Sequence, residues 1–300
     1  MFGYLVLTRV DLSAVSRAAS LVTWPVLATA LALVIAELGV RAFRWRQLLA
    51  PFADVSYGRS LAYLCVGHFA NTLLPARLGD VMRAQLAGAS LRTSRLSVFG
   101  TILVERVCDG VLLGCSVALL LLVVPRDVTA GVQQLVSPLL FVMLVAGTAG
   151  LVLVWHGVGR GFLGRHLLRI RDRLARGADG LRSGTRLARI LASTVLSLIG
   201  STLILHLVAT AIGLDLKIWE STLVIGIATL STALPAGPAS LGTYEFAGVT
   251  AMAILGLPSE PSLATIVIVH ALVALPPALA GLVVSWRLHL GPLLRQGLSV

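Results

Sequence analysis

Long apolar stretches with few charges dominate this chain, and they limit what it can fold into. A helix needs about 20 apolar residues to cross the hydrocarbon layer of a bilayer. Charged residues are only 12% of the chain and hydrophobic residues 57%, whereas a soluble domain carries about 25% charged residues. Lipid must therefore cover much of the surface. We predict an all-α polytopic membrane protein with about five full transmembrane helices, at 21–40, 96–124, 138–155, 190–212 and 262–286.

The arginines predict how the chain is oriented. Lys+Arg number 24 against 13 Asp+Glu, a formal net charge of +11, and cytoplasmic loops are enriched in basic residues. We therefore place the arginine-rich linker 157–189 and the C-terminus in the cytoplasm, and the loops 125–137 and 213–220 outside. Residues 160–189 are expected to form a basic amphipathic helix on the inner leaflet, with a solvated connector as the alternative. No polar domain carries the excess charge, which argues against nucleic-acid binding.

Two shorter apolar regions behave differently from the spans. Residues 60–75 and 221–235 end at Pro75 and Pro235, and each is followed by a second short helical segment. The segments that flank the first region are both arginine-rich and therefore both cytoplasmic. The first region, 60–75, therefore cannot cross the membrane once from one side to the other. We predict two re-entrant helical hairpins, 60–89 entering from the cytoplasm and 221–257 from outside.

The tips of the two hairpins have similar sequences. Each reads Leu-Pro-Ala, then Leu-Gly, then a carboxylate within three residues. Three predicted crossings separate the tips, so the second copy would be inverted relative to the first. We predict one domain, 1–300, made of repeat one (about 21–124), the linker, and repeat two (about 190–286). Inverted repeats with broken helices are typical of secondary transporters, which place their substrate site between them.

Several ionisable residues lie within or beside the predicted spans, where charge is costly and is by default functional. Glu105, Arg106 and Asp109 either clamp helices together or form the charged wall of a cavity. Arg77 either anchors the chain at the cytoplasmic surface or grips a phosphate bidentately beside a helix N-terminus. For Arg83, as for Arg77, one alternative is that the side chain anchors the chain at the cytoplasmic surface.

Three further polar residues lie in the hairpins or the last span. Asn71, a turn before Pro75, either caps the broken helix or contacts a ligand. Glu245 has no basic neighbour in sequence, so it is either protonated or paired across the repeat. His270 either relays protons or is a packed histidine.

The sequence lacks the patterns of the common cofactor and metal sites. No Walker loop, dinucleotide fingerprint or zinc-ligand spacing occurs, and the three cysteines lie in apolar segments. We therefore expect neither a cofactor nor a metal.

These motifs resemble the lysylphosphatidylglycerol synthase transmembrane, or flippase-like, family over nearly the whole chain. The resemblance rests on Asn71-x-x-Leu74-Pro75-Ala76-Arg77-x-Gly79-Asp80-x-x-Arg83, on Glu105-Arg106-x-x-Asp109, and on Leu234-Pro235-x-Gly237 with Gly242 and Glu245. Arg44-Trp45-Arg46 also resembles the family. Two features depart from it: Asp80 replaces the usual glutamate, and Pro238-Ala239-Ser240 lengthens the second tip. The resemblance implies that the functional residues are Arg77, Asp80, Arg83, Glu105, Arg106 and Asp109 in the first motif and Gly237, Gly242 and Glu245 in the second.

The resemblance implies a lipid translocase in a bacterial or archaeal cytoplasmic membrane. Its substrate would be an anionic phospholipid, an aminoacyl-phospholipid or a polyprenyl-phosphate-linked lipid. We expect no synthase activity, because the chain has no counterpart of the soluble synthase domain. Its partners would be membrane phospholipids, a lipid-synthesising protein or a second copy of the chain. The alternative is an integral-membrane glycosyltransferase with a polyprenyl-phosphate donor and Glu105 or Asp109 as base, which short external loops disfavour.

The predicted orientation can be tested by thiol labelling. Cysteines placed in 125–137 and 213–220 should react with a membrane-impermeant thiol reagent in intact cells, and cysteines placed in 160–189 should not. Labelling of the arginine-rich linker from outside would contradict the inverted arrangement of the two repeats.

Overall fold

The computed structural model of the chain describes residues 12–75, 77–123, 170–232 and 237–287. Within these ranges the chain is helical and has no β-strand, which confirms the all-α prediction. The α-helices are α1 (Leu12–Ser20), α2 (Trp24–Leu49), α3 (Tyr57–Leu73), α4 (Leu78–Ser90), α5 (Arg95–Val123), α6 (Gly184–Ile212), α7 (Ile218–Ser231), α8 (Thr243–Ile254) and α9 (Ser259–Arg287). Two 3-10 helices, Arg176–Arg182 and Pro238–Ser240, precede α6 and α8.

Among the described residues, three helices are long and apolar enough to cross a membrane: α2 with 26 residues, and α6 and α9 with 29 each. At 1.5 Å per residue, 29 residues extend about 44 Å, more than the ~30 Å hydrocarbon layer. Helix α5 also has 29 residues but carries four charged side chains between Arg95 and Asp109. The total of five spans stays a prediction, and the span predicted at 138–155 lies outside the described residues.

Helix α6 shows the polarity expected of a helix in lipid. Leu191, Val195, Ile199 and Leu203 recur every four residues and are exposed, so they form one apolar face. Four of its hydroxyl side chains, Ser193, Thr194, Ser197 and Thr202, are buried. A helix whose polar side faces protein and whose apolar side faces outward suits a bilayer.

The first span is longer than the sequence predicted. Helix α2 continues to Leu49, so Arg41, Arg44 and Arg46 lie within a helix, whereas the prediction placed them in a cytoplasmic loop. Buried apolar residues between these arginines, such as Ala42 and Trp45, keep the helical period. Arginine was interpreted as the end of a span, but Arg44 is only 1% exposed and faces other helices.

Both predicted hairpins are pairs of packed helices joined by a break. Helix α3 ends at Leu73, just before Pro75, and α4 begins at Leu78. A proline cannot donate the backbone hydrogen bond that would continue α3, and it clashes with the preceding turn. Helix α7 ends at Ser231 and α8 begins at Thr243. Pro235 lies in 233–236, outside the described residues.

The contacts between the two halves of the chain are reciprocal. In the part of the chain that the structure describes, each half runs in the order long helix, two short helices, long helix: α2 to α5, then α6 to α9. The two leading helices, α2 and α6, pack together. Helix α3 of the first half packs on α9 of the second, and α7 of the second half packs on α5 of the first.

The end of the basic linker packs against the helices. The 3-10 helix Arg176–Arg182 contacts α2, α5 and α6, and its Gly177 and Gly180 are buried. A Cβ on Gly177 would overlap the backbone of Gly100 in α5, so the two backbones are in close contact. Residues 176–182 therefore do not form the amphipathic α-helix predicted there, because their glycines fit between helices; residues 160–169 lie outside the described part.

The packing of the first hairpin predicts the effect of a single methyl group. Gly79 is the second residue of α4, and a Cβ there would collide with the backbone carbonyl of Gly67 and the backbone of Asn71. We expect Gly79→Ala to lower the free energy of unfolding by about 1–3 kcal/mol, measured as a lower thermal unfolding temperature in detergent.

Gly58 provides a matched control, because it is the second residue of α3 and no atom lies within 4 Å of a Cβ built there. Gly58→Ala should unfold at or slightly above the wild-type temperature. Equal unfolding temperatures for the two variants would contradict the close packing of the hairpin.

Candidate functional site

A polar cavity of about 270 Å³ lies where the two hairpin tips meet the long helices. The first tip contributes Asn71 and Arg77, and the second contributes Thr232, Gly237 and Ala239. The long helices contribute both charged and hydroxyl side chains. These are Arg41, Arg106, Asp109, Thr194, Ser197, Ser201 and His270.

The N-terminus of α4 lies at the first tip and is capped by the preceding helix. The side-chain oxygen Oδ1 of Asn71 accepts a hydrogen bond from the backbone N–H of Gly79 at 2.8 Å. Asn71 thus caps the broken helix and also lines the cavity. Arg77 occupies the position before α4 in a left-handed conformation, with φ 56° and ψ 33°. That conformation is uncommon for a residue with a side chain and is found at functional sites.

Arg77 connects the two hairpins. Its guanidinium donates a hydrogen bond to the hydroxyl of Thr232, the residue that follows α7. Among the described residues, no carboxylate lies within ion-pair distance of Arg77. This cation lines the cavity, and its only described polar partner is a neutral hydroxyl.

Beside the cavity, Glu105 lies between two buried arginines. Oε1 accepts a hydrogen bond from Arg44 Nη2 at 2.9 Å, and Oε2 accepts one from Arg83 Nη2 at 2.5 Å. The three residues are 3%, 1% and 2% exposed, in that order. Glu105 and Arg83 do not line the cavity. Their positions therefore fit the alternative in which the charges clamp helices together, and they lie behind the residues that form the cavity wall.

Arg44 extends this ion pair to two more groups. Its Nη1 lies 2.5 Å from Asp109 Oδ1, and its Nη2 lies 3.1 Å from Asp109 Oδ2. Nη1 also donates to the hydroxyl of Thr194 on α6 at 3.1 Å. Glu105 and Asp109 are one helical turn apart, so they share one face of α5. One guanidinium therefore holds α2, α5 and α6 together.

An aromatic side chain completes the surroundings of Arg83. Its guanidinium carbon lies 4.3 Å from the centre of the Trp45 ring, within the range of a cation–π contact. Trp45 is fully buried and donates its indole N–H to the hydroxyl of Thr101 at 3.0 Å. The Arg44-Trp45-Arg46 motif thus contributes two side chains to the buried cluster.

A further ion pair, between Arg106 and Asp80, lies partly open to the cavity. Arg106 Nη2 donates to both carboxylate oxygens of Asp80, at 3.2 and 3.0 Å. The Arg106 side chain is 38% exposed and lines the cavity. On α2, Arg41 pairs with Glu37 one turn away. The paired set contains four arginines and four carboxylates: Arg41, Arg44, Arg83 and Arg106 with Glu37, Asp80, Glu105 and Asp109.

The second hairpin is capped by a carboxylate instead of an amide. Glu245 Oε2 accepts a hydrogen bond from the backbone N–H of Gly242 at 2.6 Å, at the start of α8. Its other oxygen, Oε1, lies 2.5 Å from His270 Nδ1 on α9. His270 Nε2 lies 3.0 Å from the carbonyl oxygen of Ala239. The sequence offered two alternatives for Glu245, a protonated carboxyl or a partner across the repeat. In the structure Glu245 has a partner, His270, which belongs to the same repeat.

The predicted site residues divide into two groups. Those that line the cavity are Asn71, Arg77, Arg106, Asp109, Gly237 and His270. Those that lie behind or beside it are Gly79, Asp80, Arg83, Glu105, Gly242 and Glu245, while Pro75 lies at the first break and is exposed. Arg44, Arg41 and Thr232 were missed as site residues. Only Arg44 had a signal in the sequence, as part of the Arg44-Trp45-Arg46 motif.

The fold and the site together define a multi-pass helical membrane protein with a polar cavity between two broken helices. The chain belongs to the family described as "Lysylphosphatidylglycerol synthase TM region", whose model matches residues 1–281. This match confirms the resemblance inferred from the motifs. No curated protein sequence matches the chain. Membership in the family indicates a function connected with membrane lipids.

The buried cluster predicts a large effect on stability. In Glu105→Gln the carboxylate is lost, so Arg83 keeps its buried charge without a carboxylate partner among the described residues, and Arg44 keeps only Asp109. Removing one partner of a buried ion pair costs about 3–5 kcal/mol. We therefore expect a strongly lowered thermal unfolding temperature in detergent.

Asp54→Asn is the matched control. Asp54 pairs with Arg46 at 3.6 Å, but its side chain is 97% exposed, and solvent screens such pairs. Its unfolding temperature should equal that of wild type. An equally small effect of Glu105→Gln would contradict the clamp.

Proposed function

We propose that the protein is a lipid translocase that moves a lipid with an anionic headgroup across the cytoplasmic membrane. The observation that carries this proposal is the position of Arg77. It is a cation without a carboxylate partner among the described residues, and it lies beside a helix N-terminus in a cavity bounded by both hairpin tips.

The balance of charge favours an anionic ligand. Four arginines of the cluster have carboxylate partners, so Arg77 contributes the uncompensated positive charge. The N-terminus of α4 adds the positive end of a helix dipole. A planar guanidinium can bind a phosphate bidentately, which is stronger and more directional than its contact with the Thr232 hydroxyl.

Two hydroxyl groups provide further donors for a headgroup. Ser197 and Tyr244 line the cavity, are each 6% exposed, and their hydroxyls have no hydrogen-bond partner among the described residues. A buried polar group without a partner costs free energy. A bound phosphate or sugar hydroxyl would satisfy these groups.

The size of the cavity favours a headgroup rather than a whole lipid. Its volume of about 270 Å³ is slightly below the ~300–1,000 Å³ of pockets that enclose a drug-sized ligand. In this proposal the headgroup enters the cavity and the acyl or polyprenyl chains stay in the bilayer. Anionic phospholipids, aminoacyl-phospholipids and polyprenyl-phosphate lipids share the phosphate that Arg77 would bind.

The reciprocal contacts support alternating access by two inverted repeats. Helices α2 and α6 pair as equivalents, and the pairs α3 with α9 and α7 with α5 exchange equivalent partners. This is the pattern that a two-fold relation between the halves would produce. We propose that the hairpins are re-entrant from opposite faces and that rocking of the repeats opens the cavity to each leaflet in turn.

Substitution of Arg77 tests this function in liposomes. Fluorescent lipids of varied headgroup would be reconstituted with the protein, and their movement between leaflets would be measured. Arg77→Ala should slow the transfer of phosphate-bearing lipid by about 10- to 100-fold, the loss expected for one charge-assisted contact of 1.5–3 kcal/mol. Arg77→Lys should be impaired less, because it keeps the charge but loses the planar fork.

Arg59→Ala is the control, since Arg59 is an exposed arginine of α3 that does not line the cavity. Its transfer rate should equal that of wild type. Wild-type rates in both Arg77 variants would contradict the proposed site and favour a purely structural role for the charges.

A further inference from the structure

His270 makes two contacts that both need a hydrogen. Its Nδ1 lies 2.5 Å from Glu245 Oε1, and its Nε2 lies 3.0 Å from the backbone carbonyl oxygen of Ala239. A carbonyl oxygen only accepts, and an ionised carboxylate only accepts. Each ring nitrogen is therefore a donor, or Glu245 carries the hydrogen itself.

Together the two contacts need one more hydrogen than a neutral His270 and an ionised Glu245 provide. A neutral imidazole has one N–H, and an ionised carboxylate has none, so together they provide one hydrogen for two contacts. The contact with Ala239 requires the hydrogen on Nε2. The second contact then requires another hydrogen, either on Nδ1 of an imidazolium or on the Glu245 carboxyl. Both contacts exist together only when one proton has been bound.

We propose that His270 and Glu245 form a proton-binding site that controls the docking of the second hairpin and couples lipid movement to a proton gradient. The coupling rests on the proposed function. When the proton leaves, neutral His270 and ionised Glu245 remain, and two acceptors face each other in one of the two contacts. That contact must open.

Both contacts attach the second hairpin to α9. Ala239 belongs to the 3-10 helix of the tip, and Glu245 caps α8 through Gly242. Ala239 and Ser240 have φ values of 53° and 58°, left-handed conformations that are strained for residues with a side chain. Loss of the His270 contact would allow this turn to relax, and both residues line the cavity.

The proton can reach the pair from the cavity. His270 lines it, and the side chains of His270 and Glu245 are 11% and 12% exposed. The Tyr244 ring is 4.4 Å from the His270 ring. The charged groups and the histidine that line the cavity with this pair are Arg41 on α2, His68 on α3, Arg77 before α4, and Arg106 and Asp109 on α5. Glu37 lies one turn from Arg41 on α2, and the cavity side chains of α6 and α7 are hydroxyl or apolar.

The two carboxylates among these groups, and Arg41, already have partners of opposite charge. Glu37 and Arg41 form an ion pair on α2, and Asp109 is bound to Arg44. The carboxylate that is free to exchange a proton with His270 is therefore Glu245. A phosphate bound at Arg77 would bring negative charge into the same cavity and would favour the protonated pair.

Substitution of Glu245 by glutamine tests whether the two contacts of His270 depend on the added proton. The amide of Glu245→Gln can donate to Nδ1 of neutral His270, while its oxygen accepts from Gly242. Both contacts then form without the added proton, so the variant should fold and stay docked at every pH. His206→Gln is the control, because His206 is a part-buried histidine bonded to Ser221 and does not line the cavity.

Spin labels would measure the docking without any lipid transport. One label replaces Leu241 at the tip and the other Leu282 on α9, both exposed, in a variant without native cysteines. When the pH is raised from about 5 to about 9, wild type should change from the single distance of the docked hairpin to two distances. With one linked proton, the ratio of the two populations changes by up to about tenfold per pH unit.

The variants decide the outcome. Glu245→Gln should keep one distance across the range, and His206→Gln should respond as wild type does. A wild-type distance independent of pH, or a pH response retained in Glu245→Gln, would overturn the proton site.

A liposome experiment then tests the coupling. An imposed pH gradient should change the wild-type rate of lipid transfer and leave the rate of Glu245→Gln unchanged. Transfer that ignores the gradient in wild type would contradict the coupling and leave the translocase intact. Absence of transfer in both proteins would contradict the proposed function, while the spin-label distances would still report on the proton site.

Discussion

Glu105 accepts hydrogen bonds from Arg44 on α2 and Arg83 on α4 inside the protein, and the position of the cavity depends on this contact. The two guanidinium groups fix the first hairpin against α5 and the leading helix. Asp109 and Thr194 extend the network to α6. Burying charge is expensive unless every charge has a partner, so the near-complete pairing forces these helices into one arrangement. Arg77 stands out because the network does not neutralise it.

The sequence predicts those parts of the fold that local chemistry determines. The proline after α3 and the apolar stretches of α2, α6 and α9 are visible in the residues themselves, although α2 continues beyond its predicted end. A cap at Asn71 is one of two alternatives that the sequence offers, and its hydrogen bond to Gly79 fits that alternative. Long-range partners are not visible in this way. Arg44 lies 61 residues from Glu105, and Thr232 lies 155 residues from Arg77. Arginine in a membrane protein usually indicates a cytoplasmic loop, and that expectation concealed the role of Arg44.

The two hairpin tips solve the same structural problem with different chemistry. Each must satisfy a helix N-terminus within a protein interior. The first tip uses the neutral amide of Asn71 and places a cation beside it. The second uses the carboxylate of Glu245 and places a histidine beside it. The first tip therefore has the chemistry of a phosphate site, and the second has the chemistry of a proton-binding site. Residues of both tips line the same cavity.

Binding of a lipid phosphate by Arg77 can be observed in an electron cryo-microscopy map of the protein in nanodiscs that contain an anionic phospholipid. We expect phosphate density within hydrogen-bonding distance of the Arg77 guanidinium, with Thr232 released. Phosphate density confined to the outer surface of the helices, with Arg77 still bonded to Thr232, would contradict it.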